Sequence, residues 1–144
     1  MEIEPKVTNP LILIAEDESA LSGVLKSKLA RHGFVVETAA DGVEALEKMR
    51  LIKPQLVLLD LIMPNKNGFQ VLEEAKADPE IKDIKVVVFS NLNQSEDRER
   101  AKKMGALDFL VKSDLGINEV VGRVNGFLGC PSASPVPSVA EGTP

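Results

Sequence analysis

The spacing of hydrophobic positions along the chain changes period repeatedly. LILIA (residues 11–15) is a continuous apolar run of strand length. Leu21, Val24, Leu25 and Leu29 then recur at helical spacing, and Gly33, after His32, supplies a C-terminal stop. FVVET (34–38) predicts a second strand. Asp41, with Glu44 three residues on, has the form of a capping box that opens a helix closed by Pro54. LVLL (56–59) predicts a third strand, and a helix follows from Gly68 to Ala77, where Asp78-Pro79 breaks it. VVVF (86–89), rich in β-branched residues, predicts a fourth strand. Ser95 is placed to cap a charged helix, SEDRERAKKM, that ends at Gly105. Residues 108–111 predict a fifth strand. Ile117, Val120, Val121, Val124, Phe127 and Leu128 form the apolar stripe of a final helix.

Five strands alternating with five helices imply right-handed crossovers and a parallel sheet covered on both faces. The unbroken apolar character of the strands fits burial from both sides. The expected fold is therefore α/β: one three-layered domain over residues 10–129. A polar arm (1–9) precedes it. The tail CPSASPVPSVAEGTP (130–144) is rich in Pro, Ser and small residues and is expected to be disordered.

Composition narrows the picture a little. The 144 residues are 44% apolar and 27% charged, which is ordinary globular usage. A net charge of -5 argues against unspecific nucleic-acid binding. No apolar run approaches the roughly 20 residues of a membrane span, because Asp60 splits the best candidate. MEIEPKVTNP lacks the basic-then-apolar pattern of a secretion signal, and a cytoplasmic protein is the simplest expectation. One cysteine, Cys130, excludes an internal disulfide framework and a cysteine-rich metal site, and it is assigned no chemistry. His32, at a helix end, is expected to interact with the helix dipole rather than with a ligand.

The candidate chemistry lies at the strand ends. In a parallel sheet all C-terminal strand ends share one edge, where open α/β folds place their sites. The first strand ends in Glu16-Asp17-Glu18, the third at Asp60, the fourth at Ser90 and the fifth at Lys112, while the second ends in Ala39 and Ala40. Carboxylates that share an edge repel each other unless a cation intervenes, and hard oxygen ligands with room for water and phosphate suit Mg²⁺. A carboxylate beside such a metal can attack phosphorus to give an acyl phosphate. Lys112 offers a mobile point charge to a phosphoryl oxygen, and Ser90 a hydrogen bond to another. Each feature alone is commonly a turn, a cap or a solvated side chain; their joint placement at four strand ends is what points to one site.

LILIAEDES, LVLLDLIMPNKNG, VVVFSN and FLVKSD together resemble, in order and spacing, the four motifs of the receiver domain of bacterial two-component response regulators. The resemblance runs from about Pro10 to Gly129. It implies a flavodoxin-like doubly wound five-stranded parallel sheet of order 2-1-3-4-5 with five helices. It implies Asp60 as phosphoacceptor, with Mg²⁺ (for which Mn²⁺ can substitute) held by Asp17, Asp60 and the backbone carbonyl of Ile62. Glu16 would act mainly through a metal-bound water. Ser90 matches the family's hydroxyl position, Lys112 its lysine and Phe109 the aromatic whose rotation reports phosphorylation. Met63-Pro64 and Gly68 match the loop after the acceptor.

The implied function is a phosphorylation-dependent switch. It would take phosphate from a histidine kinase or a histidine phosphotransfer protein and bind an output protein through the fourth helix, fifth strand and fifth helix. It would catalyse only its own phosphorylation and dephosphorylation, without direct nucleic-acid or membrane contact, as a monomer or a weak phosphorylation-dependent dimer. With no output domain after it, a stand-alone, chemotaxis-regulator-like receiver is expected. An intermediate carrier in a multi-step phosphorelay is the alternative.

Three departures from the family pattern stand out. The acidic pair is Glu-Asp rather than Asp-Asp, Ser113 follows Lys112 where proline is usual, and Phe109 replaces tyrosine. Ile62 and Leu92 are expected to flank the phosphoryl group and, unable to orient water, to prolong its lifetime. Arg98, Arg100, Lys102 and Lys103 form either a solvated, i,i+4-paired surface or a basic docking surface for an acidic partner segment.

Two other classes are disfavoured. A Mg²⁺-dependent phosphatase of the haloacid dehalogenase type wants an acid two residues past its nucleophile, where Ile62 stands. An FMN carrier wants a Ser/Thr/Gly-rich phosphate loop after the first strand and an aromatic to stack on flavin, and the chain has no Trp or Tyr.

Overall fold

The computed structural model describes residues 9–129, so the expected N-terminal arm and the 130–144 tail, with Cys130, lie outside the described residues. The order is β1 (Leu11–Ala15), α1 (Ser19–Arg31), β2 (Val35–Ala39), α2 (Gly42–Ile52), β3 (Leu56–Leu59), α3 (Gly68–Ala77), β4 (Lys85–Ser90), α4 (Ser95–Lys103), β5 (Asp108–Val111) and α5 (Ile117–Leu128). The strands pair in parallel in the order β2-β1-β3-β4-β5. The fold is therefore the doubly wound one expected.

Two-residue alternation along the strands divides the core. Leu13, Ala15, Val57, Leu59, Val86 and Val88 face one side, where Leu46 and Met49 of α2, Leu72 and Ala75 of α3, and Ala101 of α4 cover them. Ile12, Ile14, Leu56, Leu58, Val87 and Phe89 face the other, under Leu25 and Leu29 of α1 and Val120, Val121 and Val124 of α5. Every residue of β3 is buried, which its unbroken apolar sequence requires.

Several local expectations shift. β2 begins at Val35 rather than Phe34, which instead packs into the α1/α5 layer. Val24 is not part of the buried stripe of α1: it is 52% exposed, and Ser22 is buried on that helix instead, its hydroxyl donating to the Ser19 carbonyl at 3.2 Å. Ser95 is not the cap of α4 but its first residue. Gln94 is the cap, and its N–H donates to Asp97 Oδ2 at 3.2 Å, so the acid on the first turn satisfies the helix start. Asp41 does cap α2, accepting the Glu44 N–H at 2.8 Å, but Glu44 reaches back one residue further than a capping box, to the Ala40 N–H. His32 ends α1 with its N–H on the Leu29 carbonyl. A 3₁₀ turn, Lys112–Asp114, which local pattern does not announce, follows β5.

Candidate functional site

The C-terminal strand edge gathers the expected residues. Asp60 follows β3 directly and its N–H still completes the sheet ladder, donating to the Ala15 carbonyl at 3.0 Å. The residue is buried, with 6% of its surface exposed. Oδ2 accepts from Lys112 Nζ at 2.7 Å, and Oδ1 accepts from the Ile62 N–H at 3.2 Å. Lys112 also pairs with Glu16 Oε1, while Glu16 Oε2 accepts the Glu18 N–H at 2.9 Å. The lysine is thus not a free point charge but is held between two buried carboxylates.

Asp17, exposed, completes a set of three carboxylates with oxygens all within 4.8 Å of one another. Burial pushes the Glu16 carboxyl above the usual carboxylate range, and the nearby Asp60 charge adds to this against the opposing pull of Lys112. Burial alone would lower the Lys112 ammonium; its hydrogen bonds to Asp60 and Glu16 outweigh that and raise it. Three carboxylates facing one ammonium leave two negative charges uncompensated, and the donors are all hard oxygens. That chemistry fits a small divalent cation.

Ser90 ends β4 fully buried, its Oγ accepting the Leu92 N–H at 3.2 Å. Leu92 is half-buried against the α2–α4 layer, whereas Ile62 is 59% exposed. Phe109 is half-buried against the same layer, and the Arg98 guanidinium lies 5.3 Å from its ring centroid. Arg100 stacks on Phe69 at 4.0 Å. These two basic residues of α4 therefore engage aromatic rings, a placement that the i,i+4 charge pattern does not convey.

The loop after Asp60 is braced from two directions. Gly68 sits so close to the Asp60 carbonyl that a Cβ there would lie 2.4 Å from it. Asn65, with φ +69°, donates to Asp41 Oδ2 at 2.7 Å, tying the loop to the start of α2. Asn91 Oδ1 accepts the Ser113 N–H at 2.8 Å, joining the loops that leave β4 and β5. Sequence reasoning missed Asp41, Asn65 and Asn91 at this edge. The exposed Asn residues gave no signal, and Asp41 was fully accounted for as a cap.

A buried carboxylate, an ammonium and a metal-suited acidic set thus meet at the switch edge of a doubly wound parallel sheet. Consistent with this, residues 12–125 match the response regulator receiver domain, and the chain belongs to that family. It is 32% identical over 119 residues to the DNA-binding dual master transcriptional regulator RpaA of Synechocystis, covering 83% of this chain and 49% of that one. It is 37% identical over 128 residues to the probable transcriptional regulator ycf27 of Cyanophora paradoxa, covering 89% and 50%. The chain spans about half the length of the curated relatives it matches. The phosphorylated cyanobacterial phytochrome response regulator RcpA superposes with a TM-score of 0.74 at 28% identity, over 88% of this chain and 98% of that one. Among the described residues no helix is long and apolar enough to cross a membrane.

Proposed function

We propose that the domain is a phosphorylation-dependent switch that accepts a phosphoryl group on Asp60 from the phosphohistidine of a kinase or phosphotransfer protein. The carrying observation is the Asp60 carboxylate, buried at the sheet edge with Lys112 at 2.7 Å and with Glu16 and Asp17 in reach. One Asp60 oxygen bonds phosphorus as the P–N bond breaks, and the electron pair of that bond stays on the imidazole. Lys112, held beside Asp60, can follow the transferring charge onto a phosphoryl oxygen. Ser90 Oγ, weakly engaged at 3.2 Å, can turn to donate to another.

Glu16, Asp17, Asp60 and the Ile62 carbonyl would hold Mg²⁺, which supplies charge neutralisation of the attacking and transferring oxygens when bound. Ile62 offers no acid to protonate a leaving group and hydrolyse small substrates, which supports a switch over a turnover enzyme. The added charge would draw Ser90 in and free space for Phe109, re-packing the α4–β5–α5 face that an output partner reads.

Incubation with Mg²⁺ and a small phosphodonor, followed by intact mass, tests the reading. The wild type should gain one phosphate and Asp60→Ala none. Failure of the wild type to gain it, with Mg²⁺ present, defeats the proposal.

A further inference from the structure

Ser113 stands where the receiver pattern has proline, and the structure shows what the substitution makes available. Lys112–Asp114 is a 3₁₀ turn, and the N–H groups of a first helical turn have no partner within the helix. A proline has no N–H to satisfy there; a serine does. Asn91 supplies the acceptor, at 2.8 Å from Ser113 N and 22 residues away in sequence. β4 and β5 pair in register up to Ser90 and Val111, so this bond, from one residue past Ser90 to two past Val111, extends their pairing through a side chain. Each loop joined this way begins at a functional residue: Asn91 follows Ser90, and Ser113 follows Lys112.

We propose that Asn91 is a positioning residue. By accepting the Ser113 N–H it holds the Ser90 and Lys112 loops at a fixed separation, so that hydroxyl and ammonium meet one phosphoryl group together. The inference rests on Asp60 being the acceptor and deepens that reading. Lys112 leans on Glu16 and Asp60 at its tip, yet its backbone is the start of a short turn, and a short turn is a weak anchor. The clasp ties that turn to the end of β4, whose residues are buried from Val86 to Ser90.

The test uses the full chain, Mg²⁺ and phosphoramidate, with the rate of phosphate gain read by intact mass for wild type, Asn91→Ala, Ser113→Pro and the double variant. Asn91→Ala should react about fivefold more slowly, the rate equivalent of one neutral hydrogen bond of ~1 kcal/mol. In the Ser113→Pro background, where no N–H remains to be held, Asn91→Ala should cost nothing further. Amide hydrogen exchange at Ser113, measured without phosphodonor, should quicken in Asn91→Ala.

An Asn91→Ala rate equal to wild type, or an equal loss in both backgrounds, overturns the clasp. If Ser113→Pro does not fold, unchanged Ser113 exchange in Asn91→Ala overturns it instead. A wild type that takes no phosphate fells the reading of Asp60, and the clasp's role with it.

Discussion

Gly68 offers a quantitative check on how tightly the acceptor loop is built. A Cβ at this position would stand 2.4 Å from the Asp60 carbonyl oxygen, 2.7 Å from Leu61 Cα and 2.9 Å from Leu61 Cδ2. Ordinary contact begins at 3.4 Å, so the carbonyl is about 1 Å too close, and two of the three atoms are backbone, which cannot rotate away. Overpacking of this kind costs ~1–3 kcal/mol, with Gly68→Ala at the upper end because the backbone itself must move. At roughly 3–5 °C per kcal/mol for a domain of this size, the ~3 kcal/mol upper end should lower the melting temperature by ~9–15 °C.

The displaced group is the main chain of Asp60, the proposed acceptor, so the rate of phosphate gain should fall as well. Gly122→Ala is the control of opposite sign. It lies inside α5 with nothing within 4 Å of a new Cβ, so relief of the glycine penalty should stabilise the helix by ~0.8–1 kcal/mol. Thermal melts by circular dichroism and intact-mass phosphorylation read both variants. A Gly68→Ala protein that melts with the wild type and takes phosphate at its rate would refute the close approach.

Two further outcomes are expected. Replacing Ile62 with Asn and Leu92 with Glu should shorten the lifetime of the phosphorylated form several-fold, because polar groups there can orient an attacking water; an unchanged decay rate counts against the idea. Asp78 is held below the ordinary carboxylate range, first by the Glu80 N–H and then by Arg50 at 3.0 Å. A depressed folded-state pKa means stability present above the unfolded value near 3.8 and lost as pH falls through the folded one. Asp78→Asn should therefore melt below wild type at pH 7, and the gap should close on acidification; a gap independent of pH would exclude the ionised pair as its source.

What the sequence revealed follows from range of interaction. β3 was legible to the residue because its neighbours on both faces are apolar, so pattern and burial coincide. Asp60 was legible because a charge inside an apolar run needs a reason. Val24 misled for the opposite cause: helical spacing permits burial, but the side of α1 that packs on the sheet is narrower than the sequence pattern. The α4 start was misplaced because Ser95 is the residue type that favours a cap locally, whereas the acid at Asp97 takes the Gln94 N–H and starts the helix one residue earlier. The Lys112–Glu16 and Asn91–Ser113 contacts join segments distant in sequence, so no local periodicity encodes them.

The sheet also separates α2, α3 and α4 from α1 and α5, and β5 is its outer strand on one side. α4 belongs to one layer and α5 to the other, with β5 at the rim between them. A body resting on that rim touches both layers at once. It would register shear, the sliding of one slab of helices past the other, a displacement that neither slab could report from its own surface.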